Sequence, residues 1–459
     1  MNAPTERVGS KGKVSLYQAI AANVLNMVGI GPFLTVPLIL SAMGGPQAMI
    51  GWAIGALIAV CDGLVWAELG AAMPGSGGSY QYLLEAYGPR TGGRLMSFLF
   101  LIQTIVAAPL TTASGGVGFA SYAHFLFPNM TGIQTKAVAI GICLLATWLL
   151  YRNIRSIGKI SMWMFYGVMG TMGWIIFAGA THFHPSLAFS FPPGAFHLSK
   201  AFFLGLGAAS LLAMYDYSGY FTVCLIGDEV DRPAVNIPRC ILISVGMLAV
   251  FYTAMSLSII GVVPWREAMR SDSIVSEFIS RVYGPGAAQL SAVLIMIAAF
   301  GSVFTVMLGY SRVPYAAAVE GHFFSIFARV DPKGGFPSFS VLSMGVTSAA
   351  ACLLSLDSLI KALLVIQVMI WFIPQCIAVV LIRKKRPDIR RPFLMYLYPL
   401  PVVIALAGWI FIFGSSGPVF IEAGFITLGL AVAAYLLRAR AIREWPFQPR
   451  VPVETSVKL

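Results

Sequence analysis

Runs of roughly 20 apolar residues recur along the whole chain, and no other feature constrains its fold as tightly. A helix of that length matches the hydrocarbon thickness of a bilayer. Hydrophobic residues make up 58% of the sequence and charged ones 10%, against about a quarter in soluble domains. A water-soluble fold would have no core large enough to bury so many runs. The sequence therefore predicts an all-α polytopic membrane protein. Its spans fall at about 15–41, 46–72, 92–122, 133–151, 157–181, 199–227, 238–264, 286–318, 338–356, 358–382, 393–414 and 418–438.

Twelve spans put both termini on one side, and the basic residues then sort unevenly. The tails and the even-numbered connections hold 24 Lys and Arg residues. The opposite face holds 6: Lys136, Lys200, Arg266, Arg270, Arg281 and Lys361. The positive-inside rule makes the rich face cytoplasmic. The expected location is the plasma (inner) membrane, multi-pass, with both termini inside. The net charge of +12 is thus a topology signal, with anionic lipid contact at Arg383–Arg391, and not a nucleic-acid signal. The first apolar run lacks a cleavage pattern and reads as the first helix. All six cysteines fall in or at the ends of spans, so no disulfide framework and no disulfide-linked partner is expected. His182, His184 and His197 share one outer loop and read as loop residues. No metal or cofactor is expected.

Two spans interrupt themselves. The first contains Val28-Gly29-Ile30-Gly31-Pro32-Phe33, and the sixth contains Tyr215-Asp216-Tyr217-Ser218-Gly219-Tyr220. Proline cannot donate its backbone bond, and glycine weakens a helix. Freed backbone groups survive in a bilayer only where protein or a water-filled cavity satisfies them. Five spans is an odd number, so the sixth starts on the opposite side from the first, and a repeat of five would be inverted. Interrupted helices at matching places in inverted halves point to a transport site near the midplane. Packing glycines and a proline kink are the plainer reading of either break alone.

Further residues carry a resemblance. Trp66-Ala67-Glu68-Leu69-Gly70 through Pro74-Gly75-Ser76-Gly77-Gly78-Ser79-Tyr80 resembles the signature after the second span of the amino acid–polyamine–organocation superfamily, amino acid permease type. Gly29-Ile30-Gly31 is similar to its first-helix break. Gly227-Asp228-Glu229-Val230-Asp231-Arg232-Pro233, Phe300-Gly301-Ser302, Ser311-Arg312, Glu320-Gly321-His322 and Arg391-Pro392-Phe393 resemble later segments in order. The resemblance implies a five-plus-five inverted repeat with broken helices 1 and 6. The transport core would be 15–382, with helices 1–5 at 15–181 and helices 6–10 at 199–382. Helices 11–12 would follow at 393–438, between cytoplasmic tails 1–14 and 439–459. It further implies alternating access for amino acids, polyamines or related amines, as proton-coupled symport or exchange.

The residues in the breaks suit such a cargo. Half-helix N–H groups favour a carboxylate, and Gly29 and Gly31, flanking Ile30, let the backbone come close. Unwound carbonyls around Tyr215, Ser218 and Gly219 would take an ammonium. The resemblance places Tyr215 where an aromatic closes over substrate, though ordinary packing explains it equally. Asp216 departs from the small or neutral residue usual there. A carboxylate inside the membrane calls for a partner. It is read as a substrate-amine ligand, a carrier of the coupling proton H+, or a cap on the second half-helix. The lysine of some proton-coupled members is absent from the fifth span, where Gly167 or Val168 aligns. That leaves a proton on Asp216, sodium, or uncoupled exchange; Ser302 and Thr305 offer oxygens for a cation near the first break, with packing and back-bonding hydroxyls as the plainer reading. Glu68 is expected to anchor the inner gate, Asp62 to be a bonded structural carboxylate, and Asp228 and Glu229 to form ion pairs. No metal set, HExxH or nucleophile elbow lies in a span, which argues against an enzyme. No filter-like loop suggests a channel. The substrate is expected to be an amino acid, with a polyamine or other organocation as the alternative.

Overall fold

The computed structural model describes residues 14–75, 77–151, 157–319, 321–331 and 336–447. The expectations resting on residues 1–13, Ser76, Arg152, Arg155, Glu320, Lys333 and 448–459 lie outside that set. The described chain is built from helices. Its sole β-type contact is an isolated parallel bridge between Val14 and Val230.

Helix α1 (Leu16–Val28) starts on a capping box: the Ser15 hydroxyl accepts from the Gln18 N–H, and the Gln18 side chain accepts from the Ser15 N–H. A 3₁₀ turn at Gly31–Phe33 leads into α2 (Thr35–Met43). Then follow α3 (Ile50–Ala72), α4 (Ser79–Tyr87), α5 (Gly92–Leu126), α6 (Gly132–Tyr151) and α7 (Ile157–Thr181). The second broken stretch is α8 (Lys200–Tyr217) and the short α9 (Thr222–Leu225), followed by α10 (Pro233–Ile260). An amphipathic α11 (Ile274–Tyr283) precedes α12 (Pro285–Tyr310) and α13 (Arg312–Val319). Beyond lie α14 (Ser338–Ala351), α15 (Leu356–Gln367), a π-helical turn at Val368–Phe372, α16 (Ile373–Lys385), α17 (Leu400–Ser415) and α18 (Pro418–Ile442).

Among the described residues, eight continuous helical stretches are long and apolar enough to cross a membrane. Three shorter apolar helices are Leu16–Val28, Ser338–Ala351 and Leu400–Ser415. The architecture is that of an all-helical, multi-pass membrane protein. Its burial is graded. The most apolar 18 residues of Leu356–Lys385 are 72% buried, whereas those of Pro418–Ile442 are 17% buried, and that helix turns Leu430, Leu437 and Phe425 outward. Outward apolar side chains are what lipid requires of an outer helix.

The broken helices sit in the middle. α8 packs against α2 and α3, and α1 against α7, α9 and α10. α5 closes the other side against α12 and α15. On one face of the bundle, the Val14 N–H donates to the Glu229 carbonyl at 2.8 Å, and the Asp231 N–H donates to the Val14 carbonyl at 2.9 Å. The start of the described chain is thus tied to the loop after the second break.

Candidate functional site

The first break follows from Gly29. Its φ of 45° is open to glycine and costly for other residues, and it ends α1. Pro32 then supplies no N–H. The chain closes a single 3₁₀ turn, in which the Leu34 N–H donates to the Gly31 carbonyl at 2.8 Å. The Tyr122 hydroxyl donates to the Phe33 carbonyl at 2.7 Å, one of the outside donors such a break needs.

The second break is built in the same way. α8 ends at Tyr217, and Gly219 takes φ 119°. The Ser218 N–H and hydroxyl both fold back on the Met214 carbonyl, at 2.9 and 2.8 Å. The Tyr252 hydroxyl donates to the Asp216 carbonyl at 3.1 Å. The groups freed beyond Gly219 are met from α1. Asn23 donates from Nδ2 to the Tyr220 carbonyl at 2.6 Å and accepts the Val223 N–H at 2.9 Å. One turn on, the Asn26 amide donates to the Thr222 hydroxyl. One broken helix therefore completes the backbone bonding of the other.

The two breaks touch. A Cβ on Gly219 would fall 3.1 Å from the Asn26 carbonyl carbon and the Met27 nitrogen. A Cβ on Gly31 would fall 2.0 Å from Asp216 Oδ1 and 2.9 Å from Tyr215 Cε1. A cavity opens where they part. The first break lines it from Asn26 to Gly31, and the second gives Tyr215, Ser218, Gly219 and Phe221. α5 adds Thr111, Ser114 and Gly115, α12 adds Ser302, Val306 and Tyr310, and α15 adds Leu363 and Gln367. Among the described residues no acidic or basic side chain lines it. The walls offer hydroxyls, amides and backbone instead.

Within this cavity the Tyr215 hydroxyl shares a 2.7 Å hydrogen bond with Ser114 Oγ, which fixes the ring. Phe221 lies between Trp66 and Trp371, with ring centroids at 4.9 and 4.5 Å. Gln367 is 4% exposed, and its Oε1 has no hydrogen-bond partner. It directly precedes the π-helical turn, a local irregularity often found at functional positions.

The structure brings together Gly29, Ile30, Gly31, Tyr215, Ser218, Gly219 and Ser302 around one cavity. It does not put Asp216 there. That side chain is fully buried and accepts from the Thr35 hydroxyl, Oγ1 to Oδ2, at 2.5 Å, while Oδ1 lies against Gly31 without a hydrogen-bond partner. Asp216 belongs to the second broken helix and braces the first. Thr305 is half-buried and outside the lining. Glu68 is outside the lining as well. Both of its oxygens accept from Arg383, at 2.7 and 2.6 Å, and Oε2 also accepts the Met395 N–H at 2.9 Å. The Arg383 guanidinium stacks 3.8 Å above Tyr398. This clamp joins the end of α3 to the end of α16. In α7, the fifth span expected from the sequence, Val168 is buried and Gly167 has open space beside it. Glu229 gives its backbone carbonyl to the bridge with Val14.

Sequence reasoning missed Asn23, Asn26, Thr35, Thr111, Ser114, Tyr310 and Gln367. Two signals were available. Asn23 and Asn26 stand one helical turn apart in an apolar run, where amides are costly unless bonded. Gln367 is one of two amides, with Gln375, in the most hydrophobic run among the described residues.

A model of the amino acid permease family matches residues 14–434. Among curated proteins, the human Asc-type amino acid transporter 1 is 26% identical over 424 residues, covering 89% of this chain and 78% of that one. The serine/threonine exchanger SteT of Bacillus subtilis is 23% identical, covering 90% and 92%. The human large neutral amino acids transporter small subunit 2 is 27% identical over 451 residues, covering 94% and 81%.

Proposed function

The chain belongs to the amino acid permease family, and we propose that it exchanges neutral amino acids across a membrane by alternating access through the cavity between its two broken helices. It is a transporter of amino acids and not an enzyme. One observation carries the finer reading: both breaks turn their non-helical backbone to the same cavity, where hydroxyls and amides stand among apolar side chains and, among the described residues, no charged side chain lines the wall. The zwitterionic end of an amino acid needs such backbone. The turn at Gly29–Gly31 would take the carboxylate, and the carbonyls between Tyr215 and Ser218 the ammonium. A diamine would bring a second cation and find no carboxylate in the wall, which favours an amino acid over a polyamine. The side chain of the substrate would lie towards Gln367 and Tyr310. Relatives that carry serine, threonine and large neutral amino acids in their names agree with that wall.

The proposed architecture is twelve spans in a five-plus-five inverted repeat over 15–382, with helices 11–12 at 393–438. Both termini would be cytoplasmic in the plasma (inner) membrane. Tyr215 would close over bound substrate, its ring aimed by Ser114. The Glu68–Arg383 clamp would hold the inner end of the closed pathway. Asp216 would act through the first break, as carrier of a coupling proton or as a brace, because its carboxylate faces Thr35 and Gly31. All six cysteines are buried and free, so the chain is proposed to work without a disulfide-linked partner.

The test is uptake into proteoliposomes with neutral amino acids, basic amino acids and diamines, each with and without an inward proton or sodium gradient. Loading-dependent entry of neutral amino acids alone is the expected result. Diamine transport would overturn the substrate assignment. Uptake driven by a proton gradient into unloaded vesicles would replace exchange by symport.

A further inference from the structure

Asp62 sits in the middle of α3, fully buried and outside the cavity. Four donors converge on it. Oδ2 accepts from Trp66 Nε1 at 2.9 Å and from the Tyr220 hydroxyl. Oδ1 accepts from Trp409 Nε1 at 3.1 Å and from the Cys376 thiol at 3.3 Å. A carboxylate offers about four acceptor positions, and all are taken. Two of these donors are indoles, which cannot accept. A proton added to Asp62 would have to face the Tyr220 oxygen or the Cys376 sulfur, and sulfur accepts weakly. The cage is shaped for an ionised carboxylate.

No cation balances that charge through a hydrogen bond or ion pair among the described residues. The titratable groups facing it are Tyr220 from the second break, Cys376 from α16 and the adjacent Cys61 on α3 itself. Trp409 of α17, and Trp371 and Phe372 of the π-helical turn, do not titrate. From α10, Ile241 packs at Gly63, and Cys240 is a buried thiol. α8 contributes Tyr217 further along α3, beside Gly55.

One of the four donors differs from the rest. Trp66, Cys376 and Trp409 ride on regular helix. Tyr220 rides on the non-helical link between α8 and α9, next to Phe221, which lines the cavity. If that link shifts relative to α3, Tyr220 leaves and Asp62 keeps three neutral donors. Charge-assisted O–H···O⁻ bonds are the strong ones, and a poorly partnered charge inside a membrane is costly.

We propose that Asp62 is a proton-binding site separate from Asp216, occupied when Tyr220 withdraws and emptied when Tyr220 is seated. The proton comes from water admitted by the displaced link, binds Oδ2 at the position Tyr220 vacates, and returns to water when the hydroxyl comes back. Seating of the cavity wall and protonation of Asp62 therefore oppose each other. This rests on the transport reading only in taking the link to be mobile.

The test needs no substrate. The full chain in lipid nanodiscs is acidified stepwise, and the infrared C=O stretch of protonated carboxyl groups is followed. The wild type should gain a band that Asp62→Asn lacks. In Tyr220→Phe, which keeps the ring, the same band should appear at a pH higher by about one unit or more. An acid band untouched by Asp62→Asn, or one lost instead in Asp216→Asn, would overturn the proposal. So would a Tyr220→Phe titration that matches the wild type, and that variant decides alone should Asp62→Asn fail to fold. A transport assay that finds no amino acid uptake would leave this titration intact, so the two readings fail separately.

Discussion

Gly31 cannot carry a side chain while Asp216 stays in place, because the first added carbon would fall 2.0 Å from its carboxylate oxygen. Gly31→Ala should cost about 1–3 kcal/mol of stability through overpacking and should weaken substrate binding by parting the two breaks. Thermal unfolding in detergent and a binding titration would check both, and an unchanged protein would contradict the packing described. Gln367 makes a different prediction. Gln367 lines the cavity and its Oε1 has no partner, so a hydrogen bond accepted there from a substrate hydroxyl would contribute about 0.5–1.5 kcal/mol. Gln367→Leu should thus lower the affinity for serine relative to alanine by roughly two- to tenfold. An unchanged ratio would remove Gln367 from the substrate wall. At this scale the sequence was legible where a residue type acts locally. The cluster Gly29, Gly31 and Pro32 reveals a break, whereas Pro109 and Pro238 stand alone inside continuous helices. The orientation of Asp216 was hidden, because it depends on Thr35, 181 positions away.

The elements show why two half-length helices hold together in an apolar medium. α1 has 13 residues and is too short to cross alone, and its continuation through the 3₁₀ turn and α2 makes up the length. Asn23 joins that broken helix to the other by donating to one freed group and accepting from another. Asn23→Leu would orphan both, at about 1–3 kcal/mol each, so a lowered melting temperature with intact membrane insertion is expected. Melting at the wild-type temperature would mean that the breaks do not depend on each other. The clamp at the end of α3 is charged. Glu68→Gln should cost about 2–3 kcal/mol, since Arg383 loses a bidentate acceptor while Met395 keeps one. Loss of the clamp should also raise solvent access at the Arg383 end, measurable as faster thiol labelling of a cysteine placed at Met395. Hydropathy made most long helices legible. The π-helical turn was not, because Val368–Phe372 has the same apolar composition as the helices on either side.

At the scale of the whole molecule, the charge asymmetry and the breaks lead to one arrangement. The 24-to-6 division of basic residues predicts that a cysteine at Lys200 reacts with an impermeant thiol reagent added outside intact cells, and one at Arg386 does not. The reverse pattern would invert the topology. Family and membrane class were legible because their signals repeat along the chain. Of the polar wall from neighbouring helices only Ser302 was legible, because Thr111 and Ser114 on α5 and Gln367 on α15 meet it only in the folded bundle. The central claim is that the meeting point of the breaks is the amino acid site. Its most direct test is counterflow of a labelled neutral amino acid into loaded proteoliposomes, comparing the wild type with Gly219→Ala. The added carbon would press on the α1 backbone at 3.1 Å and strain a φ of 119°. The account predicts rapid, loading-dependent entry in the wild type and little in an inserted, folded Gly219→Ala. Equal counterflow in the two proteins would contradict it.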